Sequence, residues 1–231
     1  MIAKGTYTLP EVGPLYVHEM RHLTDPGLIV DILDREIEIR EEASERPDAL
    51  PELADTPLPK NIAKQIGPVV LWAGFTSEVP DPENMIGYAR VGPYAEGSDI
   101  ARKVLKAVEP LLFFYPARGP VYNLVADLAV IPEFQWQGVG EANMYTALKY
   151  QRQYRPVGMY VPAGHQRIRQ WAEDQGLEQK VTKKPIMLEH EPDNHTREIV
   201  QYVSNFDTAE HVLTMGLRSP WLRNSAQSID I

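Results

Sequence analysis

The sequence predicts one mixed α/β domain in which a central sheet is flanked by helices. β-rich apolar runs alternate with segments of helical periodicity, and residues 121–178 follow the order strand, helix, strand, helix, which is a βαβα unit. The length of 231 residues allows one domain with a sizeable core and an appendage.

The first third of the chain predicts a strand followed by a helix. Residues 15–21 (LYVHEMR) are strand-like, after which Asp25 can cap a helix with Pro26 in its first turn. Four prolines within 45–60 predict a loop or broken helix. Helical spacing predicts that one face of the first helix is buried, formed by Ile29, Ile32, Leu33, Glu36 and Ile37.

The middle third predicts a hairpin and a central strand. Two β-rich runs, 69–77 and 83–91, flank a turn rich in Pro and Asp, which is typical of an antiparallel hairpin. The stretch 98–114 is predicted to be helical as far as Pro110. Residues 121–130 (VYNLVADLAV) are apolar at nearly every position, which favours a strand buried on both faces, and Asp127 interrupts them.

The last third predicts a helix from Gly138, a strand over 157–161 and a helix over 165–175 that ends at Gly176, a left-handed cap. Beyond them, PIMLEHE indicates a strand, EIVQYVSNF a strand or a helix, and AEHVLTMG a short helix.

Composition narrows the function. Without cysteine there are no disulfides, thiolate metal sites or cysteine nucleophiles. The net charge of −9 argues against nucleic-acid binding. Because no long apolar run and no signal-like N-terminus are present, we expect a cytoplasmic protein that does not bind membranes. The serine-hydrolase motif GxSxG and the phosphate-binding motif GxxxxGK[ST] do not occur.

The most informative segment is VIPEFQWQGVGEANM, residues 130–144. A buried strand ends, a proline turn follows, and Gly138 and Gly140 open a helix. Glycines there let a diphosphate approach main-chain N–H groups at a helix start, where the dipole favours an anion.

DLAVIPEFQWQGVGEANM resembles the acetyl-CoA motif of the GCN5-related N-acetyltransferases (GNAT), in which V-x-P precedes Q/R-x-x-G-x-G/A. Gln135, Gly138 and Gly140 match in register. The segments HQRIRQWAEDQGLE and MRHLTDPGLIVDIL are also similar to family elements. The resemblance implies a splayed central sheet in a domain over 1–190. Residues 191–231 would form a C-terminal extension that packs on the domain or on a second subunit, which leaves a homodimer open.

The resemblance implies an acetyltransferase that uses acetyl-CoA as acyl donor and no metal. The acyl-CoA would lie between the strands at 121–130 and 157–161. Trp136 would pack on the cofactor or simply cover the loop, and His165 falls where the family has a helix-starting Asn. The implied cofactor-binding residues are Leu128, Ala129, Val130, Gln135, Trp136, Gln137, Gly138, Val139, Gly140, Glu141 and His165.

Two catalytic candidates follow, each with an alternative. Asp127 is the ionisable group inside the apolar strand and is either the general base or a hydrogen-bonded structural carboxylate. The family's general-acid tyrosine falls on Ala172, so Tyr160 on the neighbouring strand is the substitute acid or a core tyrosine.

The acceptor is expected to be an amine. Acidic residues of the first helix would suit a cationic small molecule or a protein amine, or they form a solvated face. One alternative is a GNAT-fold binding or assembly protein that has lost turnover. Another is a zinc hydrolase built on HEMRH, residues 18–22, although on a strand His18 and His22 would be too far apart to chelate one ion.

Overall fold

The structure, a computed structural model, describes residues 3–44, 70–95, 121–150, 156–164, 166–180, 186–190 and 195–223. The predicted loop at 45–60, the predicted helix at 98–114 and the candidate His165 lie outside the described residues.

Within these ranges the chain forms nine strands and four α-helices. The strands are β1 Gly5–Leu9, β2 Gly13–Glu19, β3 Val70–Phe75, β4 Met85–Ala95, β5 Val121–Val130, β6 Pro156–Pro162, β7 Leu177–Gln179, β8 Ile186–His190 and β9 His195–Asp207. The helices are α1 Pro26–Ser44, α2 Val139–Tyr150, α3 Gln166–Asp174 and α4 Thr208–Arg218. Short 3-10 turns occur at Met20–His22, Pro82–Asn84 and Pro132–Phe134.

The nine strands form one mixed sheet, as the sequence predicts. Their order is β1-β2-β3-β4-β5-β6-β9-β7, and β8 also pairs with β9. Of the pairings described, β5 with β6 is parallel and the others are antiparallel. The predicted β3–β4 hairpin is confirmed.

Helix α1 begins where the sequence predicts. The Asp25 Oδ1 accepts from the main-chain N of Gly27 at 2.9 Å and of Leu28 at 3.4 Å, which satisfies two N–H groups at the helix start. The buried positions are Ile32, Glu36 and Ile39, so the buried stripe is narrower than predicted.

Helix α2 is buried on all sides in its middle, because every residue from Ala142 to Leu148 is buried. On one side it packs on β1 to β5, where the Tyr7 hydroxyl lies 2.6 Å from the Thr146 hydroxyl and Trp72 stacks on Tyr150. On another side it packs on α4.

The residues assigned to a C-terminal extension contribute to the sheet. Strand β9 lies between β6 and β7 and also pairs with β8, so the predicted boundary at 190 falls between two paired strands. The segment EIVQYVSNF is therefore strand. AEHVLTMG lies within α4, whose start is capped by the Asp207 side chain through the N–H of Glu210 at 3.0 Å.

The HEMRH segment is strand only in part, which corrects the prediction. His18 and Glu19 end β2, whereas Met20–His22 form a 3-10 turn that leaves the sheet. His18 is buried edge-on to Phe75, and its burial lowers the pKa of the imidazole. In the described part of the chain, no three His, Asp or Glu side chains cluster so that they could hold a metal ion.

None of the described helices is both long and apolar enough to cross a membrane.

Candidate functional site

The sheet opens between β5 and β6. Their described ladder pairs Asn123 with Val157, Leu124 with Gly158 and Val125 with Met159. Beyond it, β5 stays paired with β4 as far as Val130, and β6 stays paired with β9 as far as Pro162. The two strands therefore diverge after Val125, where β5 also bears a bulge opposite the Arg90–Val91 step.

Main-chain groups of β5 face this opening. The N–H of Ile131 donates to the Ile86 carbonyl at 3.0 Å, so Ile131 is turned towards β4. Because N–H and C=O groups alternate sides along a strand, those of Leu128 and Val130 are turned towards β6, and those of Ala129 towards Tyr88.

The start of α2 follows at the carboxyl end of β5. Gly138 has φ of +92°, a backbone conformation that favours glycine, and its carbonyl accepts the helical hydrogen bond from Ala142 N at 2.9 Å. The first N–H groups of an α-helix have no partner within the helix. Those of α2 are thus the natural donors for an anion at this turn.

Two glutamine side chains stabilise the turn through hydrogen bonds to its main chain. The Gln135 Nε2 donates to the Val130 carbonyl at 3.0 Å, and the Gln137 Nε2 donates to the Glu133 carbonyl at 2.8 Å. These side chains occupy two main-chain carbonyls and fix the path of the loop, and the N–H groups at the start of α2 are left to a ligand.

The C-terminal segment Ser219–Arg223 packs on the same turn. A Cβ at Gly138 would meet Trp221 Cγ at 2.7 Å, so only a glycine fits beneath this indole. The Glu141 carboxylate accepts from Gln175 Nε2 at 3.1 Å and from the Ser219 hydroxyl. Both donors engage the one acidic side chain in the first turn of α2.

Trp136 stands at the outer side of the turn. Its indole is 40% exposed, and the Arg167 guanidinium lies 3.8 Å from the ring centroid. Since Arg167 belongs to the first turn of α3, this pair joins the loop after β5 to the helix after β6.

Asp127 lies in a charged network beneath α1. Its Oδ2 accepts from the Arg40 guanidinium and from the Tyr88 hydroxyl, the latter at 2.9 Å. Next to it, Arg90 donates to both oxygens of buried Glu36, at 2.5 and 2.6 Å. Two carboxylates thus face two guanidiniums, and the network carries no net charge.

The electrostatics of this network follow from its burial. Burial raises the pKa of Tyr88 well above its usual value, which keeps the hydroxyl protonated as a donor. Burial disfavours the Arg40 cation, but Asp127, Tyr88 and Glu36 outweigh it and raise the pKa of Arg40. Arg40 therefore stays charged.

The structure brings most of the predicted site residues together. Leu128 and Val130 turn their main-chain groups into the opening, Ala129 between them turns its own towards β4, and the predicted cofactor-binding residues 135–141 form the turn at the end of the opening. Tyr160 is opposite, on β6, where its main chain pairs with Gln201. Asp127 lies at the start of the divergence, with its carboxylate on the α1 face.

Sequence reasoning missed Arg40, Tyr88, Arg167 and Trp221. The sequence did hold one indication of the charged network around Asp127. A charged residue interrupts the apolar pattern of each of two elements, Glu36 on α1 and Arg90 on β4. No local sequence pattern indicates that Trp221 contacts the glycine turn.

No protein-family model and no curated protein matches the sequence. Among solved structures, the fold is similar to Arabidopsis thaliana NAA60 in complex with a bisubstrate analogue. The two are 15% identical, the match covers 82% of this chain and 96% of that chain, and the TM-score is 0.52. The chain has the GNAT fold.

Two further GNAT-fold structures agree. Ribosomal-protein-alanine N-acetyltransferase from Brucella melitensis is 11% identical, with 81% of this chain and 98% of that chain covered and a TM-score of 0.51. An N-acetyltransferase from Staphylococcus aureus Mu50 is 8% identical, with 84% and 98% covered and a TM-score of 0.51. The splayed sheet expected from the resemblance is thus observed.

Proposed function

We propose that this protein is an N-acyltransferase that transfers an acetyl group from acetyl-CoA to an amine by direct attack within a ternary complex. The observation that carries the proposal is the β5–β6 opening, which has Leu128 and Val130 main-chain groups turned into it and the glycine turn of α2 at its end. A thin amide-containing chain joined to a diphosphate matches this sequence of donors.

The proposed reaction has three events that the protein must assist. The amine attacks the thioester carbonyl, negative charge develops on its oxygen, and the amine must lose a proton. The N–H of Leu128 or Val130 is the proposed donor to that oxygen, since the Ala129 N–H is turned towards β4.

The identity of the base stays a proposal. Both known donors to Asp127 engage one oxygen, and the carboxylate contributes charge to a network of buried groups. These contacts favour the structural alternative for Asp127. Tyr160 on β6 is proposed as the acid that protonates the leaving thiolate, with a core tyrosine as the alternative.

The acceptor is proposed to be a cationic amine or a protein N-terminus. Asp31, Asp34, Glu38 and Glu83 line a groove of about 360 Å³ between α1 and the 3-10 turn before β4, together with Arg35. An acidic groove on the α1 face would attract a basic acceptor. One of the similar structures, the ribosomal-protein-alanine N-acetyltransferase, is named for N-acetylation, which supports an amine as acceptor.

The second candidate is a GNAT-fold binding protein without turnover. It is favoured by Ala172, which falls at the family's acid position and is fully buried, so that no proton donor exists there.

One experiment separates the two. The purified chain is incubated with acetyl-CoA and a panel of amines comprising peptide N-termini, lysine peptides and amino sugars, and both free CoA and acetylated product are measured. Transfer to at least one amine, absent without protein, is expected. Acetyl-CoA binding with no transfer to any amine would favour the binding protein, and no binding would contradict both.

A further inference from the structure

Four charged side chains meet where the sheet opens. Arg90 on β4 and Asp127 on β5 are cross-strand partners beside the bulge, two residues after Val125 ends the described β5–β6 ladder. Glu36 and Arg40 lie one turn apart on α1 and face this pair. Glu36 accepts two hydrogen bonds from Arg90, at 2.5 and 2.6 Å. Arg40 donates to Asp127, so each charge of the helix meets the opposite charge on the sheet.

This arrangement of charges fits one position of α1 on the sheet. A shift of the helix by one turn in one direction would bring Arg40 against Arg90. A shift in the other direction would bring Glu36 against Asp127. Like charges repel strongly where water is scarce, and the side chains of Glu36 and Arg90 are only 1% and 13% exposed. Buried polar groups that must find one particular partner are a known means of fixing the register of a packed helix.

The apolar contacts of α1 fix this position less well. Of its apolar side chains, Ile32 and Ile39 are fully buried, and the buried position between them holds Glu36. An apolar side chain there could pack on several neighbouring surfaces, whereas a buried carboxylate needs its bidentate partner. A buried ion pair seldom adds net stability relative to an apolar pair of similar size. The Glu36–Arg90 pair therefore contributes position more than stability.

Helix α1 lies on the face of the sheet opposite to the glycine turn. The Asp127 side chain reaches α1, whereas a Cβ at Gly140 of α2 would lie 3.6 Å from Cδ2 of the next residue, Leu128. Successive side chains of a strand point to opposite faces of the sheet. In a direct transfer, the donor would be held from the α2 face and the amine would arrive from the α1 face, along the acidic groove that α1 lines.

We propose that Glu36 and Arg90 are positioning residues for the acceptor. Their ion pair, with that of Arg40 and Asp127, holds α1 in the one register in which its acidic groove delivers the amine to the β5–β6 opening. This inference rests on the proposed function, because it takes that groove as the acceptor site. Without the Glu36–Arg90 pair, α1 would occupy several registers. The apparent KM for the amine is then the intrinsic value divided by the productive fraction, while kcat at saturating amine is kept.

The test replaces the pair in the full chain by apolar side chains of similar size, Glu36→Leu together with Arg90→Met. One charge of each sign is removed, so the Arg40–Asp127 pair stays balanced and we expect a Tm no lower than that of the unaltered protein. Steady-state kinetics use acetyl-CoA and a peptide with a free N-terminus, or the lysine peptide or amino sugar of the panel if that is the amine acetylated.

The expected result is a KM for the amine that is about tenfold higher, the value for a productive register populated in about one molecule in ten. The kcat and the calorimetric Kd for acetyl-CoA should not change. Arg90→Lys, which keeps the charge but loses the bidentate geometry, should raise KM by a smaller factor and provides a second variant. The matched control is Tyr7→Phe with Thr146→Val, which removes a buried hydroxyl pair between β1 and α2 and should leave KM unchanged.

The position of α1 can also be measured directly. The chain has no cysteine, so Val30→Cys on α1 and Leu213→Cys on α4, both at exposed positions, introduce two unique sites for spin labels. Electron paramagnetic resonance then gives the distribution of distances between the labels. A narrow distribution is expected with the Glu36–Arg90 pair present and a broader one in the apolar double variant.

The outcomes separate this inference from the proposed function. If the unaltered protein acetylates an amine and the apolar double variant keeps either its KM or its narrow distance distribution, the positioning role is wrong and the proposed function stands. A higher KM accompanied by a lower Tm or by weaker acetyl-CoA binding would also overturn the positioning role, because the pair would then support the fold in general. If the unaltered protein transfers acetyl groups to no amine of the panel, the proposed function fails and the positioning role with it.

Discussion

At Gly138 two constraints coincide, one of backbone and one of space. The residue has φ of +92°, and a Cβ there would meet Trp221 Cγ at 2.7 Å. A side chain would incur about 1–3 kcal/mol of backbone strain and about 1–3 kcal/mol of overpacking. A glycine is thus required at this position for the fold as well as for access to the main chain.

We predict that Gly138→Ala lowers the free energy of unfolding by about 2–6 kcal/mol, the sum of these two costs, and removes acetyl-CoA binding. Urea unfolding and calorimetry measure the two effects. Gly140→Ala is the stability control, because a Cβ there meets Leu128 Cδ2 at an ordinary 3.6 Å. A Gly138→Ala protein as stable as Gly140→Ala would contradict the described turn.

The contacts of Asp127 predict how its substitution acts. In Asp127→Asn the Arg40 guanidinium loses one of its charged partners, so we expect a loss of about 1–3 kcal/mol of stability, with turnover per folded molecule nearly kept. Arg40→Gln should destabilise to a similar extent and fail to add to the first change, because both remove one interaction.

Thermal unfolding and steady-state kinetics of Asp127→Asn, Arg40→Gln and the double variant test this prediction. An Asn variant with an unchanged Tm and a kcat lower by about 10² to 10⁴ would instead make Asp127 the general base.

At the scale of elements, the segment Ser219–Arg223 acts on the start of α2. Trp221 covers Gly138, and the Ser219 hydroxyl holds Glu141. These contacts hold the turn in one conformation before a ligand arrives, and such preorganisation strengthens binding.

Trp221→Ala should therefore weaken acetyl-CoA binding by about tenfold, on the order of 1.4 kcal/mol, at temperatures where the protein stays folded. Leu217→Ala is the matched control, since Leu217 is 73% exposed on α4. Equal acetyl-CoA affinity in the two variants, measured by calorimetry, would show that the segment has no part in the site.

Elements with local signals could be predicted from the sequence. Asp25 and Pro26 indicate the start of α1. Gly176, with φ of +85°, ends the turn after α3. The glycine turn at Gly138 was likewise predicted, because its chemistry requires particular residue types within a few positions.

The features that the sequence could not predict depend on contacts with residues that are distant in the sequence. β1 was not predicted, because five residues with one buried face become a strand only by pairing with β2. Asp127 bonds to Arg40, 87 residues away, so its role could not be separated from that of a base. Trp221 and Gly138 meet only through the packing of α4 on α2.

At the scale of the whole molecule, buried histidines link stability to pH. His211 on α4 is fully buried, and burial lowers its pKa to about 4, below the usual value near 6.5. Between these values the unfolded chain binds a proton that the folded protein does not. The stability that the neutral, buried His211 contributes is fully present above pH 6.5 and is lost as the pH falls towards 4.

We predict that His211 lowers the free energy of unfolding by about 3 kcal/mol as the pH falls from 6.5 to 4. The variant His211→Leu should lack this part of the pH dependence of stability. Urea unfolding across this range, compared between the two proteins, measures the difference. Parallel pH profiles would contradict the assigned burial of His211.

The central claim is that acetyl-CoA binds between the diverging strands β5 and β6 and at the start of α2. Hydrogen exchange of the full chain, measured by mass spectrometry with and without saturating acetyl-CoA, reports which main-chain amides become protected. The account predicts slower exchange in peptides that contain Leu128 to Ala142 and the beginning of α3, and little change in α1. Unchanged exchange over Leu128 to Ala142, or protection confined to other parts of the sheet, would contradict it.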